Sequence, residues 1–425
     1  MTVKMDDLSK ELKEKENVKS VILPVMYSYK DKREKVFENY PKEELREKLR
    51  KIKEYSILNI SELKKKAVGN FEKNGIHVIE AKSSKEAVEK IREIIGKEKL
   101  IIKSKSNTAN EIGLKDALKD KELVETDTGD FLVQISSERD IHPVLPALHL
   151  TPEKISETIR KKFGGHVKPE KEAIVAFVRQ HLRKKIEGAK VWITGANALT
   201  ADGSIVILEN EGNISLVSRI PDKHIVISSF DKIVPTIEDA IHVARCAAVY
   251  GTGQEFPVYV SVISGPSKTA DIQNELVTGA QGAKELYLVL VDNGRSEILN
   301  SEFKELLYCI NCGACLNFCP VYHNLSDRYG SKYSGAKGVL FSLFDEGLKE
   351  SYENGAFFCT MCRNCSENCP SEIDLPEMMK KLRGKLAEKG IEPPDIREML
   401  SNIEKFGNPF GEAGKDGMPK NLYCC

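Results

Sequence analysis

Eight of the eleven cysteines in this 425-residue sequence fall into two runs with the same spacing, Cys-x2-Cys-x2-Cys-x3-Cys-Pro. The first run consists of Cys309, Cys312, Cys315 and Cys319, and the second of Cys359, Cys362, Cys365 and Cys369. Three closely spaced cysteines on a tight loop can bind three corners of a cubane, and a more distant cysteine supplies the fourth. The two runs therefore predict two [4Fe-4S] clusters, with these eight cysteines as ligands.

The fourth cysteine of each run decides how the two clusters share their ligands. In two-cluster ferredoxins with this spacing, it binds the cluster of the other run. We therefore expect one cluster on Cys309, Cys312, Cys315 and Cys369, and the other on Cys359, Cys362, Cys365 and Cys319. A pair of zinc sites is the alternative, but zinc modules usually present separate cysteine pairs rather than a run of four that ends in proline.

The elements around the two runs are expected to be mainly helical. Between the runs, the apolar residues Val339, Leu340, Leu343 and Leu348 form one helical face. We predict a helical ferredoxin domain over residues 296–400, followed by a C-terminal tail over residues 401–425. The tail ends in Cys424 and Cys425, for which we expect docking on a partner. A tail without function is the alternative, because chain ends are usually mobile unless tied down.

The preceding part of the chain alternates between strand and helix patterns. The clearest strand patterns lie at residues 76–79, 100–102, 123–126, 191–194, 204–208, 224–228, 258–263 and 286–291. Capping boxes are expected at Ser83 and Thr108, and Thr151 followed by proline also predicts a helix start. Strands that alternate with helices favour a parallel sheet. We therefore predict an α/β domain with an open sheet over residues 56–295, preceded by a solvated helical arm over residues 1–55.

Two glycine-rich segments lack the features of nucleotide-binding loops. Residues 251–253 lack the third glycine of a dinucleotide fingerprint, and residues 265–269 lack the Gly-Lys pair of a phosphate loop. Without a flavin or nicotinamide motif, the chain has no evident means of taking an electron pair from an organic substrate. It is therefore expected to relay electrons.

Several other polar residues are weaker candidates for a site. Glu209 and Glu211 follow a predicted strand, where α/β sheets bind ligands, although a turn with solvated charges is the alternative. His142 and His149 lie in a proline-rich segment and either bind a metal or carboxylate or are satisfied loop histidines. Cys246 lies within a helical apolar pattern and is expected to be a buried small hydrophobe.

The overall composition narrows the class of protein. The 64 basic residues balance the 64 acidic ones, so nothing indicates a nucleic-acid partner. No apolar run approaches the roughly 18 residues that a transmembrane helix needs. The charged N-terminal sequence lacks the apolar core of a secretory signal, so we expect a cytoplasmic protein in which the cysteines bind metal or carry out redox chemistry rather than form disulfides.

Over about residues 55–385, the sequence resembles the iron-sulfur subunit of the bacterial and archaeal lactate-utilisation system, of the LutB/LldF type. The two cysteine runs match the di-cluster domain of that family. The α/β part resembles its LUD domain, which is similar in fold to the ribose-5-phosphate isomerase and CoA-transferase superfamily. The matching strings are residues 103–106, 111–114, 125–129, 210–213, 233–236, 238–239, 264–267 and 291–295.

The resemblance implies a part in oxidising L-lactate, or a related 2-hydroxy acid, to the keto acid. It also implies a complex with a Cys-Cys-Gly-domain protein, a second LUD protein and an electron acceptor. Our leading hypothesis is an electron-transfer subunit that is not catalytic alone. In a second hypothesis the LUD domain is itself a CoA-transferase-like or ligand-binding enzyme, with Glu209 or Glu211 as nucleophile. In a third, the clusters only stabilise an interaction surface.

Overall fold

The fold is described from a computed structural model, which describes residues 16–138, 142–414 and 417–418. The predicted tail cysteines Cys424 and Cys425 lie outside these residues. The described part of the chain begins with three helices, α1 (Glu16–Asn39), α2 (Lys42–Leu58) and α3 (Ile60–Lys73).

The expectation of a solvated N-terminal arm was wrong, although the segment is helical. In α2, Leu45, Leu49 and Ile52 are buried against the α/β domain in a cluster that includes Val243 and Cys246. These three residues follow the i, i+4, i+7 spacing of one helix face, so their burial accounts for the packing of α2. The abundant Lys and Glu residues cover its other faces.

The main sheet has six parallel strands in the order β1-β12-β7-β4-β2-β3. Its strands are β1 (Ile76–Ala81), β2 (Leu100–Lys103), β3 (Glu122–Glu125), β4 (Val191–Gly195), β7 (Lys223–Ser229) and β12 (Glu285–Val291). The predicted parallel sheet is therefore confirmed. The central strands β4 and β7 are buried on both faces, as expected when helices cover a parallel sheet from both sides.

A second sheet of four strands has the order β8-β5-β6-β9. It consists of β5 (Ala198–Thr200), β6 (Ile205–Glu209), β8 (Ile233–Val234) and β9 (Tyr259–Ile263). Strand β6 is antiparallel to both of its neighbours. A separate two-stranded sheet pairs β10 (Lys268–Thr269) with β11 (Val277–Thr278).

Helices connect and cover the strands. They are α4 (Ser84–Ile95), α5 (Asn107–Glu111), α6 (Leu114–Ala117), α7 (Thr128–Ser136), α8 (Pro152–Phe163), α9 (Lys171–Gly188), α10 (Asn213–Val217) and α11 (Ile237–Thr252). The predicted caps at Ser83 and Thr151 are present, and each side chain accepts a backbone N–H. The predicted cap at Thr108 was wrong, because Ser106 accepts the N–H of Ala109 and begins α5 two residues earlier. Thr108 is buried inside that helix.

The cysteine-rich part is helical, as predicted. It contains α12 (Arg295–Leu299), α13 (Ala314–Asn317), α14 (Pro320–Leu325), α15 (Gly335–Asp345), α16 (Leu348–Glu353), α17 (Asn364–Glu367), α18 (Leu375–Glu388) and α19 (Pro394–Phe406), with 3-10 turns at Phe230–Lys232, Lys304–Tyr308 and Ser326–Arg328. No helix in the described part of the chain is long and apolar enough to cross a membrane.

One hydrophobic core extends from the α/β part into the cysteine-rich part. Leu288 on β12 and Phe71 on α3 belong to the same buried cluster as Leu340 and Leu382 on α15 and α18. Six of the eight predicted cluster cysteines pack against this cluster. The two parts are therefore packed together rather than joined only by a linker.

Candidate functional site: two cysteine cavities beside a polar cavity

The eight cysteines of the two runs line two neighbouring cavities. One cavity is lined by Cys309, Cys312, Cys315 and Cys369. The other is lined by Cys319, Cys359, Cys362 and Cys365, and it also reaches Cys315. We call these the first and the second cysteine cavity. In each, three thiols come from one run and the fourth comes from the other.

The two runs adopt the same local conformation. Two residues beyond the first cysteine of each run, Asn311 and Met361 have positive φ, and two residues further on Gly313 and Arg363 do as well. Each loop then enters a short helix, α13 or α17. Successive left-handed residues fold the chain into a tight loop, so three thiols of each run can face one cavity.

The thiols of these cavities fit a cluster better than a single ion. No group of three or more His, Cys, Asp or Glu side chains in the described residues is arranged to hold one metal ion. Four thiols nevertheless surround each cavity. A cubane carries its four thiolates on separate iron atoms, whereas zinc requires all four sulfurs at about 2.3 Å from one centre.

Hydrogen-bond donors and a cation surround the first cysteine cavity. The backbone N–H of Asn311 donates to Cys309 Sγ at 3.4 Å. The ammonium of Lys337, which is 7 % exposed and lines this cavity, donates to Asn311 Oδ1. Lys337 also lies 4.1 Å from the centre of the Tyr333 ring. Hydrogen bonds to the sulfurs and nearby charge set the reduction potential of such clusters.

A buried ionic network connects the α/β part to the helix that carries Lys337. Arg295 donates to both carboxylate oxygens of Glu111 at 2.7 and 2.8 Å and to Asp231 at 2.7 Å. Tyr333, which precedes α15, donates to Glu111. Burial alone would raise the pKa of Asp231, but the Arg295 and Lys53 cations outweigh it and lower this pKa to about 2. The network therefore connects charged side chains of the α/β part to the hydroxyl of Tyr333, next to the helix that carries Lys337.

A third cavity of about 510 Å³ lies between the α/β part and the first cysteine loop. We call it the polar cavity. Its lining includes Lys105 and Ser106 after β2, Lys232 after β7, and Glu209 and Glu211 at the end of β6. Residues Ile310, Asn311 and Cys312 complete its wall. A ligand in this cavity would therefore lie against the first cluster loop.

Comparisons with known proteins match both parts of the chain. Residues 64–291 match the family model of the LUD domain, and residues 305–373 match that of the 4Fe-4S dicluster domain. Lactate utilization protein B of Bacillus cytotoxicus is 36% identical over 371 residues, which cover 86% of this chain and 76% of that protein. The Bacillus subtilis protein of the same name is 35% identical over 372 residues, covering 86% and 75%.

The chain belongs to the lactate utilization protein B family. Its dicluster domain holds two [4Fe-4S] clusters, as the cysteine spacing predicted. A crystal structure of a DUF162 family protein from Deinococcus radiodurans also matches, with 13% identity, a TM-score of 0.31, and coverage of 55% of this chain and 98% of the other.

Three of the eight strings on which the family resemblance rested, residues 103–106, 125–129 and 210–213, meet around the polar cavity. Lys105, Ser106, Asp127, Asn210, Glu211 and Asn213 all line it. Another string ends in Arg295, the centre of the ionic network. These strings are far apart in sequence, so the cavity and the network form only through the fold.

Glu209 is poorly placed to act as a nucleophile. It is 4 % exposed, and its two carboxylate oxygens accept hydrogen bonds from Ile214 N–H and Ser215 Oγ–H. It therefore holds the first turn of α10. In Glu211, Oε2 accepts from the backbone N–H and the hydroxyl of Thr128. Burial, together with the neighbouring Asp127, raises the pKa of Glu211.

The two candidate histidines do not converge on one site. His142 is buried, and its Nδ1 accepts from the N–H groups of Val144 and Leu145. Burial lowers the pKa of His142 to about 4, so this ring is neutral near pH 7. His149 Nε2 instead contacts Glu138 at 3.2 Å. Both act as loop histidines with local partners.

Cys246 is fully buried, as expected for a small hydrophobe in a helix. Burial raises the pKa of its thiol to about 12, which keeps the sulfur uncharged. The lysines Lys232 and Lys337 were not predicted from the sequence. A single lysine is not part of a recognisable sequence motif. The position of each lysine beside a cavity depends on contacts with residues that are distant in the sequence.

Proposed function

We propose that this chain is the iron-sulfur electron-transfer subunit of a multi-subunit complex that oxidises L-lactate, or a related 2-hydroxy acid, to the keto acid. The observation that carries the proposal is the pair of neighbouring cysteine cavities, which meet at Cys315. Two clusters this close can pass one electron at a time between a substrate-oxidising partner and an acceptor. The names of the family relatives support lactate as the substrate.

The ligand sets proposed for the clusters are those predicted from the spacing. The first cluster takes Cys309, Cys312, Cys315 and Cys369, and the second takes Cys319, Cys359, Cys362 and Cys365. The lining of the two cavities supports this assignment. Arg383 donates to the carbonyl oxygen of Cys359 at 2.7 Å, so it holds the start of the second loop in place.

We also propose that the subunit has the domain boundaries predicted from the sequence and the partner proteins that the family resemblance implies. A LUD domain over residues 56–295 and a ferredoxin domain over residues 296–400 follow a helical segment over residues 1–55, and residues 401–425 form the end of the chain. The partners are a Cys-Cys-Gly-domain protein, a second LUD protein and an electron acceptor in the cytoplasm. The LUD part and the ferredoxin part share one hydrophobic core, so their relative positions are fixed. This supports a function in which the LUD part orients the clusters toward a partner.

The test is anaerobic purification of the full chain, followed by metal analysis and turnover. We expect about eight irons and eight sulfides per chain. The isolated chain should not oxidise lactate with an artificial acceptor, because it has no identified flavin or nicotinamide site. Addition of the two partner subunits should give turnover with lactate. Two zinc ions without labile sulfide, or turnover near 1 per second by the isolated chain, would overturn the proposal.

The rival function, a CoA-transferase-like LUD enzyme, would use Glu209 or Glu211 as nucleophile. The hydrogen bonds on both oxygens of Glu209 disfavour it. A Glu211→Gln variant that abolishes acyl transfer from a CoA thioester, in protein that has such activity, would favour the rival instead.

A further inference from the structure

Lys232 presents a cation to the polar cavity without a carboxylate of its own. Its ammonium donates to Thr108 Oγ1 at 3.1 Å and to the carbonyl oxygen of Ala196 at 2.9 Å. Both acceptors are neutral. Among the described residues, no carboxylate oxygen forms an ion pair with Lys232, and the adjacent Asp231 is held by Arg295 at 2.7 Å.

A partly buried cation without a counterion is costly, because burial disfavours its charged form. Burial lowers the pKa of Lys232 to about 8, although Asp231 opposes this shift. An anion bound in the cavity would supply the missing partner and the third hydrogen bond of the ammonium. The same wall carries Lys105, whose contacts with Asp127 and Asp130 are long, at 3.7 and 3.8 Å.

The remaining lining offers groups for the polar part of a ligand. No side chain or backbone group in the described residues donates to Glu211 Oε1, whereas Oε2 accepts from Thr128. The Asn197 side chain accepts the N–H of Leu208 through Oδ1, which leaves its amide N–H groups for a ligand. The cavity volume falls within the range of small-molecule sites, about 300–1,000 Å³.

We propose that the polar cavity binds a small 2-hydroxy or 2-oxo carboxylate, with the carboxylate on Lys232. A 2-hydroxyl donates to Glu211, whereas a 2-oxo oxygen accepts from the amide N–H groups of Asn197. This inference rests on the proposed function for the choice of acid, and it places the acid in this chain rather than only in a partner. Because Cys312 is part of the cavity wall, the bound acid lies beside the first cluster. The proposal concerns binding and includes no electron-transfer step.

The test is anaerobic calorimetric titration of the full chain, with both clusters loaded, with L-lactate, pyruvate and propionate. L-lactate and pyruvate should bind saturably and more tightly than propionate, which lacks the second oxygen. Lys232→Met should weaken L-lactate binding at least about tenfold, because it removes a charge-assisted hydrogen bond. Glu211→Gln should reduce the advantage of L-lactate over propionate. Lys119→Met, on an exposed side chain outside the cavity, is the matched control and should bind as the unmodified protein does.

A second measurement keeps the test informative if a variant folds poorly. L-lactate should change the electron paramagnetic resonance signal of the first cluster in the reduced protein and leave the signal of the second cluster unchanged. Iron content and the unfolding midpoint identify misfolded variants.

Three outcomes would overturn the inference. They are no binding of either acid up to about 10 mM, equal binding by the Lys232→Met variant, or occupation of the cavity by CoA alone. The proposed function would survive each of these if the chain holds about eight irons and supports lactate turnover with its partners. Loss of the clusters or of that turnover would instead count against the proposed function.

Discussion

Replacing Lys337 by Met should lower the reduction potential of the first cluster. Lys337 is the buried cation that lines the first cysteine cavity and donates to Asn311, whose N–H donates to Cys309 Sγ. A reduced cubane carries one more negative charge than the oxidised form, so a nearby cation stabilises the reduced state. Met keeps most of the apolar stem and removes the charge.

The size of the effect follows from the position of the ammonium. Lys337 lines the cavity and reaches Cys309 through Asn311, so we take a separation of about 8 Å between its charge and the cluster in a Coulomb estimate. With an effective dielectric constant of about 20, a unit charge at that separation contributes about 2 kcal/mol. For a one-electron couple, about 59 mV corresponds to a tenfold change in equilibrium. The expected decrease is therefore roughly 90 mV.

The assay is an anaerobic redox titration followed by electron paramagnetic resonance. Lys337→Arg is the matched control, because it keeps the charge above the ring of Tyr333 and should retain most of the potential. The second cluster should shift less, since Lys337 lines the first cysteine cavity and does not line the second. An unchanged first cluster in fully iron-loaded Lys337→Met protein, or a shift confined to the second cluster, would refute the electrostatic reasoning.

Three further predictions concern ligands, stability and assembly. Cys319→Ala should chiefly damage the cluster held by Cys359, Cys362 and Cys365, and a spectrum that instead loses the first cluster would show that each run binds locally. Arg295→Met should destabilise the protein by about 3–5 kcal/mol, because it leaves Glu111 and Asp231 buried without their cation; denaturant unfolding measures this, and Arg397→Met, on a largely exposed side chain, is the control with little expected change. Deletion of residues 421–425 should leave the iron content unchanged but weaken assembly with the partner subunits, whereas full assembly and turnover in the truncated protein would contradict a docking role for Cys424 and Cys425.

The sequence predicted the features that depend on local spacing. The convergence of the first three thiols of each run on one cavity follows from the run itself, because a few residues of tight loop determine which side chains can converge. The strands β4, β7 and β12 were found within one or two residues, since buried parallel strands are continuous apolar runs. Ser83 was recognised because a cap and its partner lie three residues apart.

Features that depend on distant contacts could not be predicted in the same way. Leu45 and Leu49 are buried by α11, which lies about 200 residues later in the chain. The apolar face of α2 was not recognised in the sequence because charged residues surround these leucines. Glu209 looked like a ligand group, but its oxygens are used by the next helix turn. Lys232 lines a cavity whose wall includes Ile310, Asn311 and Cys312, so this cavity forms only after the α/β part and the cysteine-rich part have packed.

The close contact between α11 and the first cluster loop limits how the molecule can be rearranged. A Cβ atom on Gly251 would lie 2.7 Å from the carbonyl oxygen of Cys312, and Asn317 donates to the carbonyl oxygen of Gly251 at 3.3 Å. The backbone of α11 thus packs directly against the loop that carries Cys312 and helps to fix the position of this loop. A fragment of residues 296–400 expressed by itself would lack these contacts, so we expect it to hold its first cluster less well than the full chain does. We therefore expect that transfer of the clusters to another protein requires α11 as well.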